Sequence, residues 1–145
     1  MSQTHKKIVV GVIVIAILGL LWVFGRPRRV EAITNKGEYS AGTDLDVSIQ
    51  NNLGQTICFS GCYPYFLQKM AGGKGNWQDY KYADCKAPDV TAECIQDKEF
   101  KKFRLTLENV DAGINRLMIP VCLGCRVGQE FRQDQAIYSN SFEVR

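Results

Sequence analysis

The chain has 145 residues, and with a membrane segment set aside about 115 remain, close to the commonest size of one independently folding domain. A unit of that length buries roughly two thirds of its unfolded surface, so neither a metal nor a partner is needed merely to form a core. The net charge of +3 reflects Lys6, Lys7, Arg26, Arg28 and Arg29 around an apolar stretch; without them 13 basic residues stand against 15 acidic ones. A domain of net charge about −2 gives no electrostatic support for binding nucleic acid.

Ile8 to Phe24 carries no charged or strongly polar side chain and is flanked by basic residues. As a helix it spans about 25 Å, slightly short of a hydrocarbon core of about 30 Å, and snorkelling by Lys7 and Arg26 makes up the difference. Trp22 lies at the end where an indole keeps its ring apolar and its N–H wet. The expected organisation is a short cytoplasmic tail over 1–7, a transmembrane anchor over 8–25, a basic juxtamembrane linker over 26–29 and one domain over 30–145. A cleaved signal peptide is the competing reading, since Val30-Glu31-Ala32 resembles a cleavage site. It is disfavoured because the apolar run exceeds a usual signal core and Arg26-Pro27-Arg28-Arg29 intervenes before any cut.

The positive-inside rule does not orient this anchor, because Lys6 and Lys7 on one side oppose three arginines on the other. Cysteine usage does. Six cysteines in about 115 residues suit an oxidising compartment, where they become cross-links, so the domain is expected outside the cytoplasm.

After the anchor, the pattern becomes that of half-buried strands. A leading strand is expected near Val30 to Thr34. Leu45, Val47 and Ile49 alternate with Asp46, Ser48 and Gln50; Asn51-Asn52-Leu53-Gly54 reads as a turn, and Ile57 and Phe59 alternate again, which predicts a hairpin. Tyr65 to Met70 and Trp77 to Tyr82 read as a second hairpin around Gly72-Gly73-Lys74-Gly75. Further alternation runs through Phe103, Leu105 and Leu107, through Leu117, Ile119 and Val121, and through Phe142 and Val144. No helix is expected beyond the anchor. Seven to eight short antiparallel strands predict two sheets packed face to face.

Tyr39-Ser40-Ala41-Gly42 before a run ending in Asn51-Asn52, then Phe66-Leu67-Gln68-Lys69, then Gly113 with Arg116-Leu117, and Tyr138-Ser139-Asn140-Ser141-Phe142 resemble bacterial immunoglobulin-like domains. The resemblance covers most of residues 30 to 145 and is nearest to short membrane-anchored members; it is more distant to a bacterial proteinase-inhibitor domain of similar fold. It implies an all-β, immunoglobulin-like antiparallel β-sandwich and says little about activity, since this architecture hosts many functions. The cysteines depart from the usual immunoglobulin spacing, with Cys58-x3-Cys62 and Cys122-x2-Cys125.

If Ile57 and Phe59 face the core, Cys58 faces outward, and by the same parity so does Cys122. In this topology their strands are neighbours, so a Cys58–Cys122 bridge across the outer face is expected. Cys62 and Cys125 lie a few residues further on and form a second expected pair. Cys85 and Cys94 form a third, closing an irregular loop around Pro88. Six cysteines allow 15 pairings, so this set is a preference among them. Two alternatives use the same thiols: a structural zinc site of Cys58, Cys62, Cys122 and Cys125 in a cytosol-facing domain, and a redox dithiol of Cys122 and Cys125.

The only histidine, His5, precedes the anchor, so no His-dependent triad or base can form in the domain. Asp44 and Asp46 share a strand face, which ordinary solvation explains, and the glycine cluster lacks phosphate-loop spacing. No enzyme, metal or cofactor is expected. Surface recognition remains: Tyr63, Tyr65, Phe66, Trp77, Tyr80 and Tyr82 gather much of the aromatic content into two adjoining stretches, either as core and edge packing or as a binding patch for a protein or cell-envelope partner.

Overall fold

The computed structural model describes residues 29–73, 75–81 and 88–145. The expected tail and anchor, most of the linker, Tyr82 and Cys85 lie outside the described residues. Within them no helix is long and apolar enough to cross a membrane. The described chain forms eleven strands: β1 Val30–Thr34, β2 Glu38–Tyr39, β3 Asp44–Asn51, β4 Ile57–Ser60, β5 Phe66–Met70, β6 Trp77–Lys81, β7 Thr91–Ile95, β8 Phe100–Thr106, β9 Gly113–Leu123, β10 Gln135–Tyr138 and β11 Phe142–Val144.

They make a β-sandwich. One sheet has the order β1-β3-β8, and the other is built around β9. Along one side of β9 run β11 and then β10; along its other side run β5 and then β4. Each of these flanks is in effect one long strand broken in the middle. Beyond them β6 pairs with β5, β7 with β4, and β2 lies parallel to β11. Pro120 is tolerated in the central strand for this reason: the β4 pairing ends at Val121 and the β5 pairing at Met118, so Pro120 lies opposite the break. A residue without an N–H leaves no ladder bond unmade there.

The alternating residues meet between the sheets. Leu45, Val47 and Ile49 of β3 face Ile57 and Phe59 of β4, Leu117, Ile119 and Val121 of β9, and Phe142 and Val144 of β11, all but Phe59 at most 2% exposed. Full burial of each such side chain is worth about 1.5–3 kcal/mol. The hairpin expected between residues 45–49 and 57–59 does not form. β3 pairs only with β1 and β8, β4 only with β7 and β9, and the intervening turn carries the chain across the core from one sheet to the other. Asn51 makes the crossing possible. Fully buried, its amide donates to the carbonyls of Gln55, Ile95 and Gln96 at 2.8–3.2 Å and accepts the Leu53 N–H at 3.0 Å, satisfying the backbone of the turn and tying it to the end of β7. The second expected hairpin is present as β5–β6.

Opposite that crossing, Asn140 links the sheets: its Oδ1 accepts the Thr34 N–H and its Nδ2 donates to Thr34 Oγ1, both at 2.8 Å. Next to it, Tyr39 packs edge-on against Phe142 with ring centres 5.4 Å apart, and its hydroxyl donates to Asn35 Oδ1 at 2.6 Å.

Candidate functional site

The outward face of the larger sheet carries two features. The first is a row of cysteines. Cys58 of β4 stands in register with Cys94 of β7 on one side and with Cys122 of β9 on the other. Register partners in antiparallel strands project to the same face, so the three sulfurs form a line across three strands, outside the main core. Cys125 joins them: it lies one tight turn beyond Cys122, where Gly124 takes φ +65, and its carbonyl oxygen is 3.1 Å from Cys58 Sγ and 3.9 Å from Cys94 Sγ. Phe131 packs on the cluster.

Residues 124–134 cover this row. Gly124 N–H donates to Thr56 O, Gly128 N–H to Thr91 O, Thr91 N–H to Gln129 O, Phe131 N–H to Asp89 O and Asp134 N–H to Val121 O, all at 2.8–3.0 Å. The segment thus leaves the end of β9, reaches the β7 edge and returns. Cys58 and Cys122 are 0% exposed in consequence, Cys125 is buried, and Cys94 is partly exposed at the edge strand.

The bonds differ from those expected. Cys58 is joined to Cys94, with Cα atoms 4.0 Å apart, and Cys122 to Cys125, with Cα atoms 5.7 Å apart. The register between Cys58 and Cys122 is as expected, but a sulfur forms one disulfide, and Cys58 has a cysteine on each side. The pairs Cys58–Cys122, Cys62–Cys125 and Cys85–Cys94 are therefore corrected. Cys62 is also disulfide-bonded, to none of these four. The quartet proposed from spacing for zinc is likewise not the one the fold gathers, since Cys94 takes the place of Cys62. Cys122, Cys125 and Asp134 bring potential ligand atoms within 4.8 Å of one another, a grouping that is available to a soft cation only once the bridge is reduced.

The break between β4 and β5 is ordered by Ser60 and Asp89. Ser60 Oγ donates to the Asp89 carboxylate at 2.7 Å and accepts the N–H groups of Cys62 and Tyr63 at 3.1 and 2.6 Å.

The second feature is aromatic. β9 turns Ile114, Arg116 and Met118 outward, β5 turns Phe66 and Gln68 outward beside them, and Trp77 of β6 and Tyr138 of β10 flank the row. The Arg116 guanidinium stacks between the rings of Trp77 and Tyr138, 4.2 Å from each centre, and donates to Gln68 Oε1 at 2.8 Å. Gln68 in turn donates to Asp79 at 2.7 Å. Burial against the rings lowers the Arg116 pKa from its ordinary value, and a guanidinium so placed remains charged. Ile114 and Tyr138 are 45% and 46% exposed.

The aromatic residues singled out in the sequence divide between the two faces. Phe66 and Trp77 lie outward, and Tyr63 stacks on Phe66 with ring centres 5.9 Å apart. Tyr65 packs towards Phe103 at 6.4 Å, and Tyr80 packs against the core, its hydroxyl donating to buried Asn115 at 2.9 Å. Burial raises the pKa of both tyrosines, most for Tyr80, which also lies near Asp111. Arg116, Met118, Ile114 and Tyr138 were missed as a patch; their signal was even spacing on the polar side of strand alternation, where apolar residues are out of place.

No family model and no curated protein matches this chain. Among solved structures it is similar to Spo0M, a sporulation control protein of Bacillus subtilis, at 16% identity and TM-score 0.39, over 80% of this chain and 48% of that one. It is similar to the CARDB domain of a Pyrococcus furiosus protein at 13% identity and TM-score 0.40, over 79% of this chain and 93% of that one. A third is the alkylpurine DNA glycosylase AlkC of Pseudomonas fluorescens, at 12% identity and TM-score 0.39, over 80% and 30%. The chain spans about half the length of Spo0M.

Proposed function

We propose that this chain is a membrane-anchored, immunoglobulin-like interaction module held outside the cytoplasm, stabilised by disulfides and without catalytic turnover. It binds a protein or cell-envelope component through the outward face of the larger sheet. The observation that carries this reading is the stack of Trp77, Arg116 and Tyr138 with Phe66, Met118 and Ile114 around it. Aromatic residues and arginine are enriched at protein interfaces, and a ring-flanked guanidinium offers a partner apolar area and a fixed charged donor at one place. The anchor and compartment are supported by the apolar run at Ile8–Phe24 and by the cysteine usage.

The test places a photo-crosslinking side chain at Tyr138 in growing cells, with Lys102 on the other sheet as the control site. A discrete adduct at Tyr138 that weakens in an Arg116→Ala background supports the reading. Equal labelling at both sites, or none at Tyr138, overturns it. Protease added to intact spheroplasts should digest the domain, and full protection would reverse the orientation.

A further inference from the structure

We propose that Cys94, Cys58, Cys122 and Cys125 form a thiol–disulfide exchange site that accepts two electrons from a dithiol and moves a bridge from Cys58–Cys94 to Cys58–Cys122. The inference is independent of the aromatic face. It begins from the register: Cys58 has a cysteine directly opposite on both neighbouring strands, and all three lie on one face. The Cα atoms of Cys58 and Cys94 are 4.0 Å apart, and Cys122 faces Cys58 from the other side at the wider, hydrogen-bonded spacing of about 5.5 Å, so the row runs along the hydrogen-bonding direction. Displacement at a disulfide sulfur requires the attacking, central and leaving sulfurs to lie close to a line. Cys122, Cys58 and Cys94 supply that line, with Cys58 in the middle.

The steps balance. One thiolate of the dithiol attacks Cys125 Sγ, forming a mixed disulfide and releasing Cys122 as thiolate. The second thiol of the reductant then displaces Cys125, which keeps a proton, so the reductant leaves as a disulfide and the chain has gained two electrons and one proton, with Cys122 still a thiolate. Cys122 thiolate attacks Cys58 Sγ; the Cys122–Cys58 bond forms, the Cys58–Cys94 bond breaks, and the electron pair departs on Cys94, which takes a proton from water. This last step is redox-neutral.

Burial gives the exchange its direction. Cys58 and Cys122 are 0% exposed, whereas Cys94 is partly exposed at the edge strand. A thiolate is poorly tolerated away from water, so the two-electron form is better arranged with the deepest sulfurs bonded to each other and thiols at Cys94 and Cys125. The cluster is separate from the main core, so the move leaves the sandwich packing in place. It does untie β7 from β4, and β7 is the strand on which residues 128–131 rest.

The full-length chain in detergent is treated with an equimolar amount of dithiothreitol, quenched with acid, alkylated with N-ethylmaleimide and mapped by mass spectrometry after digestion. Among singly reduced molecules, a Cys58–Cys122 linkage with labelled Cys94 and Cys125 should exceed the retained Cys58–Cys94 linkage severalfold. The Cys122→Ser variant should lose the new linkage entirely. Label confined to Cys122 and Cys125 overturns the proposal, as does first reduction at Cys62 or no reduction short of denaturation.

Discussion

The two bridges enclose very different lengths of chain, and their removal should separate accordingly. Cys58 and Cys94 are 36 residues apart in sequence, Cys122 and Cys125 only 3. Loop-closure entropy in the unfolded chain gives about 4 kcal/mol for the first and about 1.5 kcal/mol for the second. Cys58 and Cys122 are each 0% exposed, and because Cys125 is buried where Cys94 is partly exposed, the cavity left by truncation is slightly larger for the second pair, a small subtraction from the entropic difference. The double variants Cys58→Ala with Cys94→Ala and Cys122→Ala with Cys125→Ala, unfolded in urea, should therefore differ by roughly 2.5 kcal/mol, the first being the less stable. Its slope should also be the steeper of the two, because its released unfolded chain exposes more surface. Equal losses, or a larger loss from the Cys122–Cys125 pair, would refute the pairing or the dominance of chain entropy.

Asn51→Ala strips the donor from three carbonyls and the acceptor from the Leu53 N–H, and should cost about 2–4 kcal/mol in urea unfolding. Ile119→Ala, at a fully buried position of the central strand, should cost about 2–5 kcal/mol with an unchanged denaturant slope. Tyr80 is held neutral in the fold, with its pKa raised above the ordinary 10.0, so its contribution is fully present below pH 10 and is lost as pH rises beyond it, where the unfolded chain ionises first. Tyr80→Phe should flatten the fall in stability above pH 10, and Tyr65 should account for part of the slope that remains. At neutral pH the same change should cost about 1–2 kcal/mol, because Asn115 Oδ1 loses its donor.

Strand alternation made β3, β9, β8 and β11 readable, because each turns every second residue against the other sheet, fully buried in β3, β9 and β11 and partly buried in β8. It did not reveal which sheet each strand joins. Residues 44–60 carry the signal of a hairpin, yet the chain crosses the core there, since Asn51 satisfies the turn carbonyls that a hairpin ladder would otherwise take up. β7 was hidden because Ala92 and Glu93 are exposed, Thr91 is a buried polar residue and a register shift interrupts the alternation, which leaves Ile95 as its only conspicuous apolar side chain. That omission caused the wrong bridges. The parity argument found the Cys58–Cys122 register, but without β7 nothing placed Cys94 on the other side of Cys58. The aromatic residues of β5 and β6 could be collected from sequence but not sorted, because the offset between Leu67 and Gln68 changes which β6 residues share the outward face.

The central claim, an oxidised domain held outside the cytoplasm, is tested most directly by mapping its cysteines as they stand in the cell. Cells expressing the full chain are quenched in acid, their thiols alkylated, and the membrane fraction digested without reductant. The account predicts peptides linked through Cys58–Cys94 and through Cys122–Cys125, with no alkylation at these four positions. Alkylation of all four in the membrane-bound chain would place the domain in a reducing compartment and contradict it.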